Sequence, residues 1–215
     1  PALRRGLQSL PPPRTTMQPF FDPDRGVEKH GHKLPHWQQD DTWVSVTWRQ
    51  ADSLPQSKLT EWKEERDTWL ALHAKPWDAQ TESAYHERFT EKMEEWLGAG
   101  HGSCLLRTPE NAKIVADALH HFDGERYQLA SYVVMPNHVH VIFSPSSEIK
   151  LEDILHSWKR HSSNLINRRE RRSGTLWQAG YWDRLIRSQE HFEWCLRYIA
   201  NNPSQLLPHQ FLLWP

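Results

Sequence analysis

A proline separates two apolar runs in the middle of this chain, and the arrangement limits the folds open to it. "RYQLASYVV" (126–134) and "HVHVIFS" (138–144) are rich in valine, isoleucine and aromatic residues, which favour β-strands. Pro136 lies in the short break between the two runs. Strands joined by so short a break pair antiparallel, because a parallel connection needs a dozen or more residues.

Further strands and helices are predicted on both sides of this pair. "TWVSVTW" (42–48) alternates with the period of a strand, and a turn and another strand are expected within 173–187. Helical periodicity is expected over 108–122, 151–166 and 188–203. The order is strand, helix, strand, strand, helix, strand, helix. It favours an antiparallel α+β fold over a doubly wound parallel sheet.

The stretch from Leu59 to Leu97 is also predicted to be helical, with tryptophans among its apolar positions and Gly98 at its end. Residues 60–97 contain ten acidic residues and five Lys or Arg, which gives this stretch a formal charge of about −5. This acidic hairpin is a poor candidate for holding phosphate. It is either a specificity or partner element, or extra packing for a small sheet.

Composition excludes several classes of protein. The formal net charge is −1, so any anion-binding surface must be local. Cys104 and Cys195 are the only cysteines and form no CxxC pair, which disfavours a disulfide framework or a cysteine zinc site. No apolar run approaches the roughly 18 residues of a membrane span, so a cytoplasmic protein without a membrane partner is expected.

His138 and His140 stand two residues apart within the second strand of the pair. Side chains at i and i+2 of a strand project to the same face, so the two imidazoles lie together while Val139 and Val141 face a core. Two neighbouring imidazoles with added oxygen ligands suit a divalent metal such as Mn²⁺, Zn²⁺ or Mg²⁺. The same pattern also fits two ordinary surface histidines, so other residues must complete a metal site.

The last predicted helix, capped by Ser188 and ended by Pro203, carries two residues that could complete a site around the histidines. Tyr198 and Asn202 lie one turn apart, beside the apolar stripe of the helix. A phenol, with a pKa near about 10, is a weak nucleophile alone, but a metal that neutralises a phosphate lowers the barrier to its attack. Tyr198 is alternatively a half-buried packing residue.

A basic segment lies between these elements. From His156 to Gly174 there are six Lys and Arg against one acid, Glu170. Such a segment is often a solvated helix end, but it can also follow a phosphate backbone. The candidate DNA-binding residues are Trp158, Lys159, Arg160, Arg168, Arg169, Arg171, Arg172 and Arg184. Together with the histidines and the tyrosine, the segment favours metal-assisted chemistry on nucleic acid.

Four motifs resemble, in this order, the REP-associated tyrosine transposases, which are bacterial relatives of the single-tyrosine transposases in the HUH endonuclease superfamily. They are "YVVMPNHVHVIF", "HSWKR", "GTLWQAGYWDRLIR" and "YIANNP". The similarity spans roughly residues 42–203. It implies the HUH endonuclease fold, a ferredoxin-like antiparallel sheet with packed helices.

The resemblance also implies residue roles. His138 and His140 would bind a divalent Mg²⁺ or Mn²⁺, with Asn202 as the third ligand. Tyr198 would attack a single-stranded DNA phosphate, leaving a covalent 5′-phosphotyrosine and a free 3′-hydroxyl. Lys159, in "SWK", resembles a DNA-contacting residue. Family members recognise short palindromic hairpins, so single-stranded DNA with hairpin structure is the expected partner.

The expected organisation has three parts. Residues 1–41 form an N-terminal arm rich in proline and histidine, 42–203 the catalytic domain and 204–215 a C-terminal tail. Within the domain, 53–98 is a helical, tryptophan-rich insertion larger than the resemblance predicts, and the tail departs from the family pattern. A monomer in the bacterial cytoplasm, associated with the nucleoid when bound to DNA, is expected.

Two other functions remain open. The chain could be a non-catalytic protein that binds hairpin nucleic acid, or a regulator, on the same fold. It could also be a metallohydrolase whose nucleophile is a metal-bound water. The joint presence of His138, His140, Tyr198 and Asn202 disfavours a pure binder, and loss of Tyr198 separates the two enzymes.

Overall fold

The computed structural model describes residues 20–30, 36–74 and 77–215. Most of the predicted N-terminal arm, residues 1–19 and 31–35, lies outside the described residues. The described part of the arm contributes two short antiparallel strands, β1 (Glu28–His30) and β2 (His36–Gln38).

A five-stranded antiparallel sheet forms the centre of the molecule. Its strands are β3 (Val44–Arg49), β4 (Tyr127–Val134), β5 (His138–Pro145), β6 (Trp182–Leu185) and β7 (Leu212–Trp214). Their order across the sheet is β6-β3-β5-β4-β7. The first four strands in this order have the topology of a ferredoxin-like sheet, so the predicted antiparallel α+β fold is confirmed. The C-terminal tail, for which no structure was predicted, adds β7 to the edge of β4.

Six α-helices are described. They are α1 (Gln56–Leu72), α2 (Ala79–Tyr85), α3 (Lys92–Gly98), α4 (Pro109–His120), α5 (Leu151–Arg169) and α6 (Gln189–Asn201). A π-helical stretch, His86–Glu91, joins α2 to α3. The predicted helical regions are confirmed, except that the region 59–97 is interrupted at 73–74 and 77–78, which are not helical. Ser188 caps α6 by accepting a hydrogen bond from the backbone N–H of His191. None of the described helices is long and apolar enough to cross a membrane.

The two faces of the sheet are covered differently. Helices α4 and α5 pack on one face, where Val139, Val141 and Phe143 of β5 join one large apolar cluster. Helix α6 packs on the other face against a smaller cluster that includes Ile142 of β5. Since alternate strand residues point to opposite faces, His138 and His140 lie on the α6 face with Ile142.

The predicted insertion, 53–98, has an aromatic cluster of its own. The buried members of this insertion cluster are Leu54, Leu59, Trp62, Trp69, Phe89, Met93 and Leu97. At the junction that follows, Gly102 has φ +87° and a Cβ there would lie 2.4 Å from the carbonyl oxygen of Asp52. The two ends of the insertion therefore meet closely.

Candidate metal and tyrosine site

The histidine pair lies deep inside the protein. His138 and His140 are 1% and 2% exposed, and their ring centroids are 4.8 Å apart with the planes at 90°. The shared face predicted from the i, i+2 spacing is confirmed, whereas the alternative of two surface histidines does not fit such burial. Two polar rings in an apolar surrounding need partners for their nitrogens.

Asn137 determines which nitrogen of His138 carries the proton. The Nδ2 group of Asn137 donates hydrogen bonds to the carbonyl oxygens of Leu97 (3.3 Å) and His101 (3.0 Å), so its Oδ1 must face the other way. This oxygen lies 2.7 Å from Nδ1 of His138 and accepts a hydrogen bond from its N–H. Nε2 of His138 then keeps its lone pair, and it is buried without a hydrogen-bond partner among the described residues. A lone pair held in this way is the form in which histidine binds a metal.

His140 is held from the neighbouring strand. Its Nδ1 lies 2.8 Å from Oγ1 of Thr47, the residue opposite it in the β3–β5 register. Its Nε2 faces two groups at 3.4 Å, Oε2 of Glu94 and Nδ2 of Asn202. The predicted ligand Asn202 is therefore next to the histidine pair.

Glu94, on α3, was not among the residues predicted from the sequence. Its carboxylate and the two imidazoles each offer one ligand atom, and the three atoms lie within 4.8 Å of one another. The hairpin that carries Glu94 was judged a poor candidate for holding phosphate because it is acidic, and the same acidity makes it a source of metal ligands. Ten acidic residues lie between 60 and 97, and nothing in the sequence distinguishes Glu94 from the others as a metal ligand.

The protonation of the pair also fits metal binding. Burial lowers the pKa of His138 well below its usual range, and the neighbouring His140 lowers it further. Burial lowers the pKa of His140 as well, although the charge of Glu94 opposes that shift. Both rings are therefore held in the neutral form that has a lone pair to donate.

Tyr198 approaches the pair from α6. Its ring centroid is 5.4 Å from that of His140, with the planes at 88°. Its hydroxyl is buried and forms no hydrogen bond of good geometry with the described residues. Burial raises the pKa of Tyr198 well above its usual range, and the nearby charge of Glu94 raises it further. The phenol is thus protonated at neutral pH in the free protein.

Trp194 covers the tyrosine on the solvent side. It lies one helical turn before Tyr198, and the two rings are stacked at 5.5 Å with an interplanar angle of 16°. The indole is 51% exposed, which is unusual for a tryptophan. Tyr198 is therefore packed between the histidine pair and an indole that faces solvent.

Arg49 is a second residue that the sequence did not single out. It pairs in register with His138 and is buried. Its Nη1 donates hydrogen bonds to the carbonyl oxygen of Gln50 and to Oγ of Ser53, and burial lowers the pKa of Arg49 to about 10. No carboxylate in the described part of the chain forms an ion pair with it. A buried cation therefore lies on the strand beside the pair.

Two of the candidate DNA-binding residues are engaged inside the protein. Trp158 is buried in the cluster under α5, where its Nε1–H donates to the hydroxyl of Tyr127 at 2.8 Å. Nζ of Lys159 donates to the carbonyl oxygens of Gln178 (2.7 Å) and Gly180 (2.8 Å), and burial lowers the pKa of Lys159 to about 8. Both side chains therefore stabilise the fold around α5.

The arginines of the basic segment lie mostly at the surface. Arg160, Arg168, Arg169 and Arg171 are exposed, while Arg172 and Arg184 are half-buried. Arg169 forms an exposed ion pair with Glu110 at 3.2 Å. The segment around the end of α5 thus offers the exposed positive charge that was predicted from the sequence.

The family comparison agrees with the motifs. Residues 109–202 match the model of the family described as "Transposase IS200 like". This segment contains His138, His140, Tyr198 and Asn202, so the resemblance to transposases is confirmed over it. No curated protein matches the chain.

Two solved structures are similar to this one. One is described as "Structure of the REP associates tyrosine transposase bound to a REP hairpin"; it is 12% identical, with a TM-score of 0.45, and the match covers 81% of this chain and 74% of that one. The other is a transposase, described as putative, from Deinococcus radiodurans R1; it is 13% identical, with a TM-score of 0.31, over 81% of this chain and 98% of that one.

Proposed function

We propose that this protein is a metal-dependent single-stranded DNA endonuclease of the transposase kind, which nicks and rejoins DNA at hairpin sites through Tyr198. The observation that carries the proposal is that the buried phenol of Tyr198 lies against the two buried imidazoles on one face of the sheet. The match of residues 109–202 to IS200-like transposases supports the same class of reaction. The hairpin substrate follows from the resemblance of the four motifs.

The donor set fits a divalent ion. His138 offers a lone pair with no hydrogen-bond partner among the described residues, and the side-chain amide of Asn202, whose Nδ2 lies 3.4 Å from Nε2 of His140, could turn its oxygen toward an ion held by the two nitrogens. Mixed nitrogen and oxygen ligands suit Mn²⁺ and, with more water, Mg²⁺. Such an ion, when bound, neutralises charge on the phosphate that is attacked.

The proposed reaction is a displacement at phosphorus. The phenolic oxygen of Tyr198 forms a bond to the phosphorus and loses its proton, while the bond from phosphorus to the 3′ oxygen breaks and that oxygen takes up a proton. The products are a 5′-phosphotyrosine and a free 3′-hydroxyl. Attack by a 3′-hydroxyl on the phosphotyrosine reverses these steps and rejoins the strand.

Helix α6 positions the nucleophile for this step. Its apolar residues Phe192, Cys195 and Ile199 are buried against the sheet, which fixes the rotation of the helix and presents Tyr198 and Asn202 to the pair. Orientation of this kind removes much of the entropic cost of bringing the nucleophile to the phosphate. The exposed arginines at the end of α5 would hold the DNA backbone.

The test is an adduct assay with hairpin oligonucleotides from the genomic sequence that flanks the gene. Each oligonucleotide is labelled at the 5′ end or the 3′ end and incubated with the protein and Mn²⁺ or Mg²⁺. Because the 3′ fragment would remain on the tyrosine, a denaturing gel should show the 3′ label on the protein and the 5′ label on a free fragment. Tyr198→Phe should lose the adduct, and Tyr85→Phe, in the insertion, should keep it.

Other outcomes separate the competing functions. Cleavage that persists in Tyr198→Phe without an adduct would mean a metal-bound water nucleophile. A shift on a native gel without any cleavage would leave a hairpin-binding protein. Reversal of charge at Arg168 and Arg169 should weaken DNA binding and reduce its dependence on salt concentration, since fewer counterions are released.

A further inference from the structure

Glu94 brings the insertion into contact with the histidine pair. It lies on α3, the last helix of the insertion, and its Oε2 is 3.4 Å from Nε2 of His140. This oxygen is buried and accepts no hydrogen bond of good geometry from the described residues, although the hydroxyl of Tyr198 lies near the carboxylate. A buried carboxylate oxygen without a donor has lost the stabilisation that water gives it. A cation at this point would restore that stabilisation.

The spacing of the three ligand atoms fits a small divalent ion. Ligand atoms about 2.1 Å from an octahedral ion lie about 3.0 Å apart when adjacent and about 4.2 Å apart when opposite. The 3.4 Å between Glu94 and His140 is close to the adjacent distance, and all three atoms lie within 4.8 Å of one another. A small contraction of the site would therefore bring them to an ion.

We propose that Glu94 is an oxygen ligand of the divalent ion, so that the insertion completes the metal centre. The proposal deepens the proposed function and rests on the same pair of histidines. It assigns to 53–98 a role in binding metal in addition to packing. Asn202 stays beside the pair and is free to contribute a further ligand.

The insertion cluster fixes the position of Glu94. Met93 and Leu97 are buried on α3 and pack with Phe89, so Glu94 lies next to the buried side of the helix. Its neighbour Glu95 is exposed. Of these two adjacent acids, the packing therefore directs Glu94 toward the sheet.

Asn137 ties the end of α3 to the histidine strand. Its Nδ2 donates to the carbonyl oxygen of Leu97, and its Oδ1 accepts from Nδ1 of His138. One buried amide thus sets the distance between the helix that carries Glu94 and the strand that carries the imidazoles. Metal binding should in turn hold the insertion against the sheet.

The test measures Mn²⁺ binding by the full-length protein without DNA, from the electron paramagnetic resonance signal of free Mn²⁺. Glu94→Gln keeps the shape of the side chain and should weaken binding roughly tenfold or more, as expected when a group at a metal centre is removed. Glu95→Gln removes the same charge from the same helix and should bind as the wild type does. His138→Ala should lose binding.

A second measurement follows the insertion itself. Limited proteolysis with and without Mn²⁺, mapped by mass spectrometry, should show slower cleavage within 53–98 of the wild type when the metal is present. Glu94→Gln should lose this protection at Mn²⁺ concentrations that saturate the wild type. Circular dichroism of each variant establishes that it is folded.

The results distinguish this inference from the proposed function. If Glu94→Gln binds Mn²⁺ and protects the insertion as the wild type does, while His138→Ala loses binding, the role of Glu94 is wrong and the histidine site stands. If the wild type binds no Mn²⁺, the ligand role of Glu94 also falls. The adduct assay with Tyr198→Phe decides separately whether the tyrosine acts on DNA.

Discussion

The two faces of strand β5 are built from different chemistry. Val139, Val141 and Phe143 face α4 and α5 in a large apolar cluster. His138 and His140, between them in the sequence, face α6 and α3 and are equally buried. The first face gains stability from apolar area removed from water. The second face buries polar groups whose nitrogen and oxygen atoms are left without partners.

The apolar face of β5 stabilises the fold, whereas the face that carries the histidines provides the groups of the candidate site. Buried polar atoms without partners reduce the stability of a fold, and they persist where another group is to bind. On the α6 face these atoms include Oε2 of Glu94, Nε2 of His138 and the hydroxyl of Tyr198. Substitutions on the two faces should therefore change different properties of the protein.

The sharpest contrast compares Phe143→Ala with His138→Ala. Phe143 is fully buried and contacts the ring of Trp158 at 4.8 Å, so its loss should lower the free energy of unfolding by about 3–5 kcal/mol. His138→Ala leaves Oδ1 of Asn137 without its donor, but it also removes the unpaired Nε2, so it should cost less, about 1–3 kcal/mol. Urea unfolding in EDTA measures both values. Equal losses would mean that the histidine face contributes as much to stability as the apolar face.

A second pair compares two buried asparagines. Asn137 orients His138, while Asn111 on α4 donates to the carbonyl oxygen of Leu105 and to Glu170. Either change to alanine should destabilise the fold by about 1–3 kcal/mol, because buried partners are left unsatisfied. Only Asn137→Ala should also weaken Mn²⁺ binding, by roughly 10–100-fold. Isothermal titration with Mn²⁺ measures the difference, and the idea fails if Asn111→Ala weakens binding as much.

The helix caps of the two faces differ as well. Ser188 accepts a hydrogen bond from the N–H of His191 at the start of α6, whereas the side chain of Thr108 makes no capping bond at the start of α4. Ser188→Ala should therefore cost about 1 kcal/mol, and Thr108→Ala less than about 0.5 kcal/mol. Thermal unfolding followed by circular dichroism compares the two. A larger loss for Thr108→Ala would contradict the assignment of the caps.

Local patterns in the sequence predicted much of this structure. Alternation and helical periodicity identified the strands and helices, and the i, i+2 rule placed His138 and His140 together. The four-residue spacing at the end of α6 likewise placed Tyr198 beside Asn202. Each of these inferences depends on neighbours within one element, and that is why they could be made without the fold.

Features that depend on distant contacts were not predictable. Glu94 meets His140 only because the insertion folds back onto the sheet, and β7 exists only because three residues of the tail pair with β4. Trp158 shares the buried side of α5 with Ile154, Leu155 and Ile166, and its burial follows from that position rather than from its basic neighbours. Lys159 was predicted to contact DNA from the basic segment and from the resemblance of "SWK", but nothing local indicated its hydrogen bonds to the carbonyl oxygens of Gln178 and Gly180.

The smallest expected effect lies on the outer surface of the helices that cover the apolar face. Arg169 and Glu110 form an ion pair there with side chains 41% and 63% exposed, so Glu110→Gln should change the free energy of unfolding by less than about 0.5 kcal/mol. The same change removes one of the two acids that pair with Arg169, the other being Glu170 at 3.7 Å, and should strengthen binding of single-stranded DNA. Asp117→Asn is the control: it removes an acid of α4 that pairs with Lys113 and not with Arg169, and it should strengthen DNA binding less than Glu110→Gln does. Binding titrations at several salt concentrations measure both variants, and an equal gain would assign the effect to net charge rather than to Arg169.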